Sequence, residues 1–217
     1  MRTSIWLVRH GQTQLNKERR YQGDIDSPLT LYGRLQTEAM ARRLARTPFT
    51  VAVVSPSERA RLMAEAVLAG RSVPVVVDPR WAEVRHGRWE GLTYAEVVAR
   101  YRDEAAQRFA DPMTGRAQGG ESLAEVRERV SKGWEALLRE RPGGRILVVT
   151  HATPIQLVLC GASGLSPSEH WRWRVDLGSV TVLDVYGAGP IFRMVNEVPR
   201  PLLGQPEHDE TDDLMLR

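Results

Sequence analysis

The chain has one cysteine, Cys160, in 217 residues, so it can form no internal disulfide, and this fits a reducing compartment. Lysine is nearly absent too: Lys17 and Lys132 are the only lysines among 30 basic residues. A GC-rich coding sequence produces that arginine bias without a functional cause. A nucleic-acid surface would need arginines clustered with aromatics on one face. Here they are scattered through helical patterns opposite apolar residues, which argues against a nucleic-acid partner. No apolar run approaches the roughly 20 residues of a membrane span, and no charged start followed by an apolar stretch marks a signal peptide. The expected setting is cytoplasmic, with no membrane partner. No internal repeat is visible. Residues 1–198 read as one domain, and 199–217 as a tail with the acidic run EHDETDD, expected to be mobile.

Residues 3–9 (TSIWLVR) read as a short buried strand, and 50–54 (TVAVV), 73–77 (VPVVV) and 145–150 (RILVVT) as further strands. Helical periods follow them. Thr30 caps one helix through Leu31, Leu35, Ala39, Met40 and Leu44. Others run over about Ser57–Ala69, 121–140 and Pro154–Cys160. Residues 179–185 and 190–195, with a turn at 187–189, read as an antiparallel pair. The implied fold class is α/β: a three-layer α/β/α sandwich whose mostly parallel sheet has an antiparallel edge. Residues 84–120 break the alternation and read as an excursion over one sheet edge. The 179–195 strands offer an edge through which a homodimer could pair.

Parallel sheets bind ligands beyond the carboxyl ends of their strands. Two strands here end in histidine: WLVRH at His10 and LVVTH at His151. The 50–54 strand leads to Arg59 in the next helix's first turn, and the 73–77 strand leads to Glu83. Arg9, His10, Arg59, Glu83 and His151 could therefore converge from four strand ends. Two guanidiniums and a second imidazole can clamp a phosphoryl group through charge-assisted hydrogen bonds. Backbone N–H groups near Gly11 and after His151, and the Asn16 amide, add donors. A neutral imidazole can attack phosphorus. The leaving alcohol needs a proton, which a glutamic acid can supply.

LVRHGQTQLN resembles the signature of the histidine phosphatase superfamily, the phosphoglycerate-mutase-like proteins. Tyr21-Gln22-Gly23 with Asp26–Thr30, Ser55–Ala60, Glu83 with Gly87–Gly91, Gly119–Ser122 with Arg129, and Val149-Thr150-His151 match further family segments in order. The resemblance covers about residues 3–160. It implies that His10 is the phosphorylated nucleophile and that Arg9, Arg59 and His151 bind the phosphoryl group. Thr13, Asn16, Gln22, Gly23 and Ala152 would assist, and Glu83 would donate and accept protons. It implies no metal and no organic cofactor. Gln12, Met63 and Ala152 depart from residues common in the family.

Several residues read as structural. Glu121 and Ser122 read as a helix start, Cys160 as inert core, His170 and His208 as incidental, and Trp81, Trp89, Trp134, Trp171 and Trp173 as packing. His86 reads either as a pocket-mouth residue or as an exposed loop histidine. A zinc site is disfavoured, because neither His10 nor His151 has a close-spaced partner ligand and arginines flank both. A non-catalytic phosphoprotein-binding module could dispense with His10 and Glu83, yet both are present. The expected function is hydrolysis of small phosphorylated metabolites, with 2,3-bisphosphoglycerate-dependent phosphoglycerate mutase as the alternative. The resemblance implies the phosphatase, because cofactor-dependent mutases of that family tend to carry a longer insertion after the acid/base segment, and Gly87–Gly91 here looks more like the phosphatase branch.

Overall fold

The computed structural model describes residues 1–202. The acidic run and His208 lie outside them. Six strands form one sheet: β1 (Thr3–Arg9), β2 (Val51–Val54), β3 (Val75–Val77), β4 (Arg145–Thr150), β5 (Val180–Tyr186) and β6 (Gly189–Glu197). The order is β3-β2-β4-β1-β5-β6. The first four are mutually parallel; β5 runs antiparallel to β1, and β6 antiparallel to β5.

The helices are α1 (Gln14–Lys17), α2 (Leu31–Leu44), α3 (Glu58–Leu68), α4 (Tyr94–Arg100), α5 (Arg102–Ala110), α6 (Leu123–Glu140) and α7 (Ala152–Ser163). Period-2 alternation along the buried strands builds a core on each face. Ile5, Leu7, Ile146 and Val148 pack beneath α6 and α7. Trp6, Val8, Leu147 and Val149 pack beneath α2 and α3. The three-layer reading therefore holds. Among the described residues, no helix is long and apolar enough to cross a membrane.

Four local expectations change. Strand β3 covers only Val75–Val77, and all three side chains are exposed, as befits an outer strand with no helix over it. Strand β5 lies inside the sheet between β1 and β6, so only β6 is an edge on that side. Helix α7 extends to Ser163 and stops where Gly164 takes the left-handed conformation (φ 75°), a helix end that glycine accepts without a Cβ penalty. Helix α2 buries Gly33, Gln36 and Thr37 while Leu31 is exposed, because the strip beneath its first turns is the polar loop after β1.

The excursion forms α4 and α5 with an apolar cluster of its own, made of Tyr21, Trp89, Val97, Ala105 and Ala117. Thr93 starts α4 with a capping box: its hydroxyl accepts from the Glu96 N–H, and Glu96 accepts from the Thr93 N–H.

Candidate active site

The loop after β1 approaches α2 backbone to backbone. A Cβ on Gly11 would lie 2.4 Å from the Gly33 carbonyl oxygen, and one on Gly33 would lie 2.0 Å from that of Gln12. Only glycine fits at both positions. Gln36 locks the arrangement: its side-chain carbonyl accepts from the Gln12 N–H at 2.8 Å, and its amide donates to the Leu177 carbonyl at 2.9 Å.

His10, thus held, is 3% exposed. Its Nδ1 lies 2.8 Å from the Gly11 carbonyl oxygen. A carbonyl can only accept, so Nδ1 carries the proton and Nε2 keeps a lone pair. Burial, then the charges of Arg59 and Arg9, hold the imidazole pKa well below 6.5, leaving a neutral ring at pH 7.

His151 follows β4, paired with β1, so the two rings meet with centroids 5.1 Å apart at 62°. Its Nε2 lies 2.7 Å from Ser55 Oγ at the end of β2, and its buried Nδ1 has no hydrogen-bond partner. Burial, then Arg59, His10 and Arg9, lower its pKa in the same direction.

Arg59, 1% exposed, enters from the first turn of α3. Its Nη1 donates to Asp26 Oδ1 at 2.7 Å and to the Ile25 carbonyl at 3.3 Å, and its Nη2 donates to the Gly23 carbonyl at 2.9 Å. These bonds occupy three of the five guanidinium N–H groups; Nε is buried with no partner. Arg9 ends β1 and donates to the Val175 carbonyl at 2.6 Å.

Glu83 is half-buried, and its Oε1 accepts from the Val84 N–H at 2.9 Å. Arg129 on α6 fixes the turn that carries it. It donates to the carbonyls of Arg80 (3.0 Å), Ala82 (2.7 Å) and Glu83 (2.9 Å), and to both oxygens of Glu121 (2.9 and 3.0 Å). Glu121, expected only as a helix start, is thus the buried counter-ion of that clamp.

A cavity of about 500 Å³ opens here, lined by Arg9, Asn16, Gln22, Glu83, His86 and Ala152 among the residues singled out from the sequence. His10, Thr13, Gly23, Arg59 and His151 are buried and do not line it. Thr13 caps α1, and its hydroxyl lies 2.7 Å from Gln22 Oε1 and 2.9 Å from Asn16 Oδ1. Asn16 accepts through Oδ1, so its amide group is turned to the other side of the carboxamide.

Arginines dispersed along the sequence meet at this point. Arg19, Arg20, Arg108 and Arg174 join Arg9 around the cavity. His170 and Trp171 line it too, and Trp171 is 49% exposed, so neither is incidental or simple packing. Sequence reasoning missed Arg108, His170, Trp171 and Arg174 because the excursion and the 166–176 segment carry no period from which a facing side could be read, and missed Arg19 and Arg20 because they follow a helix of one turn. Met63 and Cys160, in contrast, are buried core. Among the described residues no group of three or more His, Cys, Asp or Glu gathers as a metal site.

A neutral imidazole lone pair beside buried guanidiniums suits attack on, and stabilisation of, a phosphoryl group. The family model described as "Histidine phosphatase superfamily (branch 1)" matches residues 5–198. The chain belongs to the histidine phosphatase superfamily. Relatives within the superfamily carry different names. Phosphoserine phosphatase 1 of Hydrogenobacter thermophilus is 31% identical over 177 residues, 82% of this chain and 84% of the relative. A probable phosphoglycerate mutase of Cronobacter sakazakii is 34% identical over 183 residues, covering 83% and 84%. The Mycobacterium tuberculosis "Bifunctional protein Rv2228c" is 36% identical over 197 residues. The match covers 90% of this chain but 54% of that protein, so the chain spans about half its length. The crystal structure of a putative alpha-ribazole-5'-P phosphatase from Escherichia coli superposes with TM-score 0.86 at 27% identity, over 90% of this chain and 96% of the other.

Proposed function

We propose that this histidine phosphatase superfamily member hydrolyses small phosphomonoesters through a phosphohistidine on His10. The observation that carries this reading is the His10 Nδ1–H bond to the Gly11 carbonyl, which leaves Nε2 as a neutral nucleophile beside guanidiniums from β1 and α3. Nε2 attacks phosphorus and the bond to the alcohol oxygen breaks. The Glu83 carboxyl gives that oxygen its proton. Water then attacks the phosphohistidine, the N–P bond breaks, and the Glu83 carboxylate takes the water's proton. Inorganic phosphate leaves.

Arg9, Arg59, His151 and Asn16 hold the equatorial oxygens, with the α7 N-terminus at Ala152 aimed at the same anion. Gln22 orders Asn16 through Thr13, and Gly23 receives Arg59. Thr13 and Gly23 thereby act through neighbours instead of touching phosphate. The step needs no metal or organic cofactor. Its setting is cytoplasmic and its partner a small phosphorylated metabolite.

A panel of phosphomonoesters tests this, with 3-phosphoglycerate assayed with and without 2,3-bisphosphoglycerate. Phosphate release from several esters is the expected result. Bisphosphate-dependent isomerisation with little phosphate released would replace the hydrolase with a mutase.

A further inference from the structure

From Arg9, Asn16 and Glu83 the cavity extends to a second charged wall, built from the excursion together with Tyr21 and the 166–176 segment. Arg108 on α5 lines this wall with His86, His170, Tyr21 and Phe109. Its one hydrogen bond is from Nη1 to the Pro112 carbonyl at 3.0 Å, and no carboxylate lies within ion-pair distance among the described residues. Its neighbours on the cavity wall differ: Arg20 pairs with Glu18 and Glu96, and Arg174 with Asp176. Arg108 is nonetheless half-buried, and burial pulls its pKa down. Asp111, beyond ion-pair distance, and Tyr21 offset this only in part, and a guanidinium withdrawn from water without a paired carboxylate is unfavourable unless an anion completes it.

The surroundings are built to hold that side chain in place. The Tyr21 ring is tilted against His86 at 4.8 Å and against Trp89 at 5.6 Å, and Trp89 stacks on Phe109 at 6.2 Å. Behind the wall, a Cβ on Gly115 would come 2.6 Å from Arg108 Cα, so the following turn is pressed against the helix. Burial, then the charge of Arg108, depresses His86 to about 3 and His170 to about 4. Both rings are therefore neutral at pH 7 and offer hydrogen bonds without charge. Arg108 is not among the charges that lower His10 and His151, whereas Arg59 reaches His86 as well, so Arg108 lies at the far end of one continuous cavity.

We propose that Arg108, flanked by His86 and His170, is a specificity-determining anion site for the far end of the leaving alcohol, selecting phosphomonoesters whose alcohol carries a second negative group. The inference rests on the phosphohydrolase reading above and adds the class of alcohol. The ring shelf of Tyr21 and Phe109 covers the uncharged stretch between the two anions. A carboxylate and a second phosphate share the required chemistry.

The test uses three esters of one flexible six-carbon chain: 6-hydroxyhexyl phosphate, 6-phosphooxyhexanoate and hexane-1,6-diyl bisphosphate. The full chain should prefer an anion-ended ester over the hydroxyl-ended one in kcat/KM. Arg108→Met should lower that preference about 10- to 100-fold, the range for a charge-assisted hydrogen bond, and Arg108→Lys should recover part of it. Whichever anion-ended ester loses more identifies the group. A preference that is absent, or equal in wild type and Arg108→Met, overturns the site while the hydrolase reading stands.

A second arm works without turnover. In His10→Ala, the bisphosphate should raise the NMR titration midpoints of His86 and His170, and Arg108→Met should remove the rise. If no ester is hydrolysed but this shift is seen, the hydrolase reading falls and the anion site survives. Midpoints that do not move overturn the site.

Discussion

Replacing Arg129 with methionine removes the clamp beneath Glu83 while keeping an aliphatic stem of similar length. Five hydrogen bonds are lost: three to the carbonyls of residues 80, 82 and 83, and two to Glu121. Glu121, 6% exposed, then keeps only Arg85 at 3.7 Å and the Arg85 N–H. Breaking a buried ion pair from one side costs roughly 3–5 kcal/mol. With 18% of the Arg129 side chain exposed, water compensates in part, and about 2–4 kcal/mol is expected. At about 2–4 °C per kcal/mol for a domain of this size, the melting temperature should fall by roughly 5–15 °C.

The acid limb of stability should change as well. Burial raises the Glu121 pKa, but the hydrogen bonds and charge of Arg129 and the Arg85 N–H outweigh it and hold the carboxyl below 4.5. A depressed carboxyl contributes stability that is present above 4.5 and lost as pH falls through its folded value. The variant should lose that contribution, and its acid unfolding should begin at higher pH. Pairing Arg129→Met with Glu121→Gln removes both charges, so the double variant should be destabilised by less than the sum of the singles.

Activity supplies an independent readout. In the proposed mechanism a displaced Glu83 would protonate the leaving oxygen poorly, so alkyl phosphates should lose more kcat than nitrophenyl phosphate, whose leaving group needs no proton. Thermal and acid melts with a leaving-group series measure all of this. A variant within 1 kcal/mol of wild type with an unchanged leaving-group dependence would refute the account of Arg129 as the positioning residue for Glu83.

Other consequences are equally direct. His10→Ala should abolish turnover and acid-labile phosphate labelling while leaving the melting curve close to wild type; undiminished activity would remove His10 as nucleophile. Gln36→Leu leaves the Gln12 N–H and the Leu177 carbonyl unpaired, at about 1–3 kcal/mol each, and should lower kcat about 10- to 100-fold through a shifted His10 loop; unaltered kinetics would show that the bridge is dispensable. Gly33→Ala puts a methyl 2.0 Å from the Gln12 carbonyl oxygen and should cost at least about 1–3 kcal/mol with loss of activity, read by denaturant titration. Four buried or half-buried histidines, 10, 86, 151 and 170, have pKa values lowered from 6.5. Between those lowered values and 6.5 the unfolded chain binds more protons, so stability should fall as pH drops below 6.5 and be flat just above it; a flat profile from pH 7 to 5 would contradict the burial of these rings.

Sequence patterning captured what is periodic or punctuated. Strands β1, β2 and β4 are dense apolar runs ending at histidine or serine, so their ends could be placed, and with them His10, Arg59 and His151. Inward-facing polar residues were invisible. Gln36 looks like a lapse in the α2 stripe until the loop beneath it is seen to be polar. Arg108 and His170 lie in segments whose shape depends on contacts distant in sequence, so no local rule brings them to the cavity. Arg129 was recognisable by resemblance, but its five bonds to residues up to 49 positions away belong to the tertiary structure.

The excursion's small nucleus of Tyr21, Trp89, Val97, Ala105 and Ala117 separates two jobs within one fold. Helices α4 and α5 keep their shape largely through contacts with one another and with the segment around Tyr21. Their outward side chains can therefore be exchanged without disturbing the sheet ends that carry the imidazole pair. A chain built this way can acquire a new choice of metabolite while its phosphorus chemistry stays untouched, and libraries that vary positions 106–109 alone, leaving Ala105 in the nucleus, are the natural place to redirect it.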